Sequence, residues 1–222
     1  PLMPPESRTL LCYGDSNTHG TLPLPDLDTM GRMAKAERWT THLARLLPEW
    51  EVIAEGLPGR TTVHDDPIEG AHRNGMTILP AILESQAPVD VVLLMLGTND
   101  LKPRFCVGPT DVALSLARMV RMILASECGP GGGAPRVLLV APPPIEEAGC
   151  LAEIFAGGAA KSQALAPAVA TVAARLGVAF EDAGRLVRVS AIDGIHYDAA
   201  AMPGLAAGLA AAIKREFPCG GD

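Results

Sequence analysis

Short apolar runs alternate along the chain with longer stretches in which apolar residues recur every three or four positions. The first pattern predicts strands and the second predicts helices. Strands are expected at Thr9–Tyr13, Glu51–Ala54, Val89–Leu96, Arg136–Ala141 and Val178–Phe180. The third, VDVVLLML, is apolar at nearly every position, as a central strand covered on both faces must be. Helical spacing marks Ala36–Leu47, Gly75–Gln86, Pro109–Ser126, Ala159–Leu176 and Ala199–Glu216. In Pro109–Ser126 the positions Val112, Leu116, Met119, Val120 and Ile123 form one apolar stripe, and Pro109-Thr110 suits a helix start. The glycine-rich stretch Gly129–Pro135 reads as a surface loop.

Strands and helices in alternation imply a parallel sheet, and five strands predict an α/β fold of the flavodoxin-like kind, a three-layer α/β/α sandwich. Its 222 residues fit one domain, with a tail over 1–8, a core over 9–216 and a second tail over 217–222. Apolar residues make up 48% and charged residues 19%, a globular rather than a disordered composition. Aromatics reach only 4%, so Leu, Val, Ile, Ala and Met must fill the core. A net charge of -7 argues against a nucleic-acid partner, which would need a basic face. No apolar stretch approaches the ~20 residues of a membrane helix, and Pro1–Arg8 has neither the basic start nor the apolar stretch of a secretory signal. Five cysteines without a CxxC pair fit a reduced protein, so a cytoplasmic location with no metal and no cofactor is expected.

Ligands of such sheets bind beyond the carboxyl ends of the strands, and three polar clusters fall there. Gly14-Asp15-Ser16-Asn17 follows the first strand, where a serine on a strand-to-helix turn projects its hydroxyl above the sheet. Glycine and aspartate before serine also describe an ordinary turn. Gly97-Thr98-Asn99-Asp100 follows the third strand; its asparagine amide can donate to a developing oxyanion or simply cap the next segment. Asp193-Gly194-Ile195-His196 precedes the last helix. A carboxylate there can hold Nδ1 of the imidazole while Nε2 takes a proton from serine, or the two can be a loop aspartate beside a solvated histidine. Asp198 is the expected cap of the last helix.

Taken together and in order, GDSNTHG, GLPGRTT, GTND and DGIH resemble the four consensus blocks of the GDSL/SGNH esterase family, over about residues 9–215. ERWTTHLARLL, AEGLPGRTT, the DDP at Asp65–Pro67 and APPPI at Ala141–Ile145 make the chain similar to the bacterial arylesterase and acyltransferase branch. The resemblance implies Ser16 as nucleophile, His196 as general base and then acid, and Asp193 as its orienter. It implies three oxyanion donors: the Ser16 N–H, the Gly59 N–H and the Asn99 side-chain amide. The activity implied is hydrolysis of small esters through an acyl-enzyme, with acyl transfer to alcohols and perhydrolase activity (peracid formation from hydrogen peroxide) as side reactions. A carbohydrate acetylesterase would use the same residues. A non-enzymatic flavodoxin-like module holding phosphate at the GDSN turn leaves DGIH and Asn99 without a purpose.

Other polar residues carry less. Asp15 is expected to fix the turn, and His19 to sit at the pocket rim or in that turn. His64-Asp65-Asp66 and His72 lack a further ligand at metal-site spacing, and His42 falls inside a helix pattern. Arg60, Thr61 and Thr62 are expected to stiffen the turn after Gly59. Asn17, Thr98, Phe155 and Ile195 are the candidate acyl-pocket residues, and Lys102 is expected either at the mouth or as a solvated surface lysine. Residues 22–36 look like an insertion of the kind that, in the resembling esterases, restricts the pocket and assembles oligomers, so a homo-oligomer is expected. Chain-length preference would lie in 22–36 and 145–158.

Overall fold

A computed structural model describes residues 7–218; the ends of both expected tails, and Cys219, lie outside the described residues. Five strands, β1 (Arg8–Gly14), β2 (Trp50–Gly56), β3 (Val91–Met95), β4 (Arg136–Ala141) and β5 (Ala179–Asp182), form one sheet in the order β2-β1-β3-β4-β5. Every pairing is parallel. The order reverses between β1 and β3, which opens a crevice at their carboxyl ends.

Side-chain alternation divides the core into two layers. Leu10, Cys12, Leu93, Met95, Leu138 and Val140 face one way. They are covered by α2 (Trp39–Leu46) and α7 (Met202–Glu216), which pack on each other. Leu11, Tyr13, Val92, Leu94, Val137 and Leu139 face the other way. They are covered by α3 (Gly75–Gln86), α4 (Pro109–Leu124) and α6 (Leu165–Leu176). Each of the five α4 stripe positions is buried, as its spacing requires.

The departures from the sequence pattern have local causes. The central strand is shorter than Val89–Leu96 because Val89 donates to the Cys128 carbonyl, outside the sheet, and Gly97 turns the chain away at φ +125. Ala36–Leu47 is not one helix: Lys35–Glu37 makes a 3-10 turn, Arg38 is extended, and α2 starts at Trp39. Ala159–Leu176 breaks at Ala164 into α5 (Gly158–Gln163) and α6. Pro167 accounts for the break, since inside a continuous helix it would have no N–H for the preceding turn, whereas in the first turn of α6 none is needed. Asp198 stands at the start of a 3-10 turn, Ala199–Ala201, but its side chain makes no capping bond there, contrary to expectation; α7 starts at Met202 with Pro203 in its first turn. Among the described residues no helix is long and apolar enough to cross a membrane.

Candidate active site

β1 ends in Gly14, where a Cβ would stand 2.1 Å from Thr18 Oγ1 and 3.1 Å from the Met95 carbonyl, so only glycine lets the chain turn under β3. Asp15 then caps the short helix α1 (Ser16–His19) by accepting the Asn17 N–H at 3.0 Å. Ser16 opens that helix with its hydroxyl over the crevice. Its Oγ lies 3.0 Å from His196 Nε2, and His196 Nδ1 lies 2.6 Å from Asp193 Oδ2.

Asp193 is fully buried, and burial by itself would raise its pKa. Donors outweigh that. The His196 ring, the Leu24 N–H at 2.7 Å and the His196 N–H at 2.9 Å hold the carboxyl down to about 2, and the Ile195 N–H also donates to it at 2.9 Å. An ionised carboxylate can only accept, so Nδ1 must carry the imidazole proton and Nε2 is left to accept from Ser16. Gly194 makes the tight DGIH turn possible: its φ is +72, and a Cβ would stand 2.0 Å from the Glu146 carbonyl.

The loops after β2 and β3 close the other side. Gly59 has φ +74. Arg60, stacked 4.0 Å over the Tyr13 ring, donates to the Gly14 carbonyl at 2.9 Å and the Glu55 carbonyl at 2.6 Å. Asn99 Nδ2 donates to the Arg60 carbonyl at 3.1 Å, which fixes its amide and leaves a second N–H for the crevice. Asp100 accepts from the Thr62 N–H and hydroxyl, clamping the two loops together. Thr61 donates its hydroxyl to the His64 carbonyl.

Two buried carboxyls beside this frame predict a pH dependence. Burial pushes Asp15 up to about 6 and Asp100 up to about 7. His64 Nε2 lies 3.7 Å from Asp100, and the Asp15 charge adds to its shift. Between the ordinary carboxylate range of about 4 and these values, the folded chain binds more protons than the unfolded chain. The stability the two groups contribute is therefore complete below about pH 4 and lost as pH rises through their folded pKa values. Thermal melts of Asp100→Asn across about pH 4 to 8 should show a flatter dependence than wild type; an identical slope would contradict this.

Ser16, Gly59, Asn99 and His196 line a cavity of about 210 Å³. Leu24, Leu27 and Met30 form one apolar wall, and Leu151, Phe155 and Ile195 another. Of the pocket candidates, Phe155 and Ile195 do line it, as does Lys102. Asn17 and Thr98 are not among the lining residues. Asn17 is turned to donate to the Ile195 carbonyl at 3.2 Å, and Thr98 is buried beneath the turn at Asn99–Leu101. Glu69 lines the cavity and the Leu24 N–H meets Asp193 although no local sequence pattern announces either.

His19 lies in the turn, its Nδ1 3.1 Å from Thr21 Oγ1. His64 stacks on Phe105, Asp65 accepts from Asn74, and Asp66 accepts from Arg104 and two backbone N–H groups. His72 packs against Gly70, and His42 is half-buried on α2.

A sequence model described as the GDSL-like Lipase/Acylhydrolase family matches residues 12–202. Among solved structures, the native aryl esterase of M. smegmatis is 39% identical, with a TM-score of 0.90 over 95% of this chain and 100% of that one. A carbohydrate acetylesterase from Sinorhizobium meliloti is 37% identical, with a TM-score of 0.90 over the same 95% and 100%. A search of curated protein sequences returned no match.

Proposed function

This chain belongs to the GDSL-like lipase/acylhydrolase family, and from that premise we propose that it cleaves small carboxylic esters through an acyl-enzyme on Ser16. One observation carries the reading: a serine hydroxyl 3.0 Å from an imidazole nitrogen whose partner nitrogen is held 2.6 Å from a buried carboxylate.

The Ser16 oxygen attacks the ester carbonyl carbon while its proton passes to His196 Nε2. Negative charge gathers on the former carbonyl oxygen, where the N–H groups of Ser16 and Gly59 and the Asn99 amide would donate; one such donor is typically worth about 3–4 kcal/mol. The bond to the alcohol oxygen breaks, and His196 returns the proton to that oxygen. Asp193 keeps the imidazolium oriented throughout. Water then attacks the acyl-Ser16 carbonyl by the same route, releasing acid and free serine. Where an alcohol takes the place of water the product is a new ester, and the apolar walls of the cavity favour that acyl-transfer side reaction.

A sugar acetate would use the same steps with a different leaving group, and a structural neighbour carries that activity in its name. Leu27 and Met30, 60% and 71% exposed beside the cavity mouth, support a homo-oligomer in which a second copy covers them. Sedimentation as a monomer at micromolar concentration would count against that.

The test is covalent labelling. A p-nitrophenyl phosphonate ester should release nitrophenol in one equivalent and leave its phosphonyl mass on the Ser16 peptide. Label on another residue, or none while p-nitrophenyl acetate is still turned over, would remove Ser16 from the mechanism.

A further inference from the structure

The cavity contains a charged pair that none of these steps uses. Lys102 lines the cavity although it is only 3% exposed. Its Nζ lies 2.5 Å from Glu69 Oε1, 3.9 Å from Asp66 Oδ2, and 5.6 Å from the Phe155 ring centroid. Glu69 Oε2 rests against Gly59: a Cβ on that glycine would stand 2.3 Å from it. The carboxylate is thus next to the backbone that would face the ester oxygen.

A bare carboxylate there would oppose the negative charge that develops in acyl transfer. Lys102 balances it, aided by Arg104 at 3.7 Å and Arg73 at 3.8 Å. Burying the Lys102 ammonium is costly even with the half-buried Glu69 beside it, and an apolar side chain of similar size would pack near Phe155 without that cost. What the pair supplies instead is direction: the carboxylate only accepts, the ammonium only donates, and the two stand side by side on a cavity wall that is otherwise mostly apolar. A hydroxyl is the smallest neutral substrate group that satisfies both at once, since it donates through its hydrogen and accepts through its lone pairs.

We propose that Glu69 and Lys102 form a hydroxyl-recognition pair, selecting esters whose alcohol part carries a second free hydroxyl close to the ester oxygen, such as partly acylated polyols. The proposal rests on the esterase reading above. The second hydroxyl donates to Glu69 and accepts from Lys102 while the acyl carbon stays at Ser16. An apolar alcohol of the same size leaves both charges without a new partner.

Glycerol 1-acetate and 2-methylbutyl acetate share one heavy-atom skeleton and differ in having hydroxyls or methyls, so their kcat/KM ratio reads the effect. Wild type should favour the glycerol ester roughly ten- to hundred-fold, as one or two charge-assisted hydrogen bonds allow. Glu69→Gln and Lys102→Met should each bring the ratio close to one, chiefly through a higher KM for the glycerol ester. A wild-type ratio at or below one, or a ratio unmoved by both substitutions, overturns the proposal while leaving the esterase reading intact. Failure of wild type on both esters and on p-nitrophenyl acetate overturns the esterase reading, and this proposal with it. Because the wild-type ratio needs no variant, misfolding of either mutant does not shield the idea.

Discussion

Ser16→Ala should lower kcat on p-nitrophenyl acetate by about a million-fold, the order seen when a nucleophile acting as one unit with its base is removed. The size of the effect follows from what remains. Alanine keeps the backbone N–H of residue 16, so the donors around the ester oxygen survive, but no atom is left to form the acyl bond. Binding should change little, because the lost hydroxyl is a small part of a cavity walled by Leu24, Leu27, Met30 and Ile195. The melting temperature should also hold, since among the described residues the side-chain bond given up is the one to His196 at 3.0 Å. Steady-state kinetics with a calorimetric melt checks both halves. Turnover that persists within a hundred-fold of wild type would mean that another group attacks the ester.

The second large effect is expected at Asp193. An asparagine there has the same shape, and its oxygen can keep the N–H groups of Ile195 and His196 that now reach Oδ1 at 2.9 Å. Its amide would then fall where Oδ2 accepts from both the Leu24 N–H and His196 Nδ1. Donor would face donor twice. Relief for the imidazole comes from moving its proton to Nε2, which leaves nothing to accept from Ser16. A loss in kcat of about ten-thousand-fold is the expected outcome, the size of effect that the same change has in a serine protease triad. Stability should change with it. The native carboxyl, held down to about 2, adds stability that is present above the unfolded value near 3.9 and lost as pH falls toward 2. Asp193→Asn should therefore cost more stability at neutral pH than in acid. Equal destabilisation at both would indicate that the carboxylate charge has no part in holding the loop.

Much of this molecule is legible in its sequence because its layers are regular. β3 stands out since both of its faces are buried, and α4 because one face is buried for all of its length. The Ser16 and Asn99 clusters are visible for a related reason: each sits where an apolar run stops, at the same end of a parallel sheet, whereas Asp193 and His196 are marked by their three-residue spacing ahead of the last helix. The unreadable parts depend on contacts between distant residues. Nothing near Leu24 says that its N–H will meet Asp193, 169 positions away, and nothing near Glu69 says that it will lie on Gly59 and hold Lys102. The same is true of Asn17, whose place after the serine suggests contact with substrate but whose amide is taken by Ile195. The break at Ala164 does leave a local mark, Pro167, but the apolar period runs through it and masks it.

The bond from Leu24 to Asp193 also bears on how this enzyme could diversify. Leu24 stands between Pro23 and Pro25, so of those three residues it alone has an amide hydrogen to offer. The prolines narrow the loop's conformations and hold that single donor in place. At its base, the loop is pinned by the Leu22 N–H on Gly31 and the Met33 N–H on Gly20. Residues such as Leu27 and Met30 are free to vary and so reshape the cavity mouth at little cost to the chemistry. Position 24 is different, because a proline there, or a loop graft out of register by one residue, would withdraw a donor from the acid and slow every substrate alike. Lineages or engineers exchanging this segment should see selectivity drift readily through 27 and 30, and a collapse in rate whenever the register at 24 is lost.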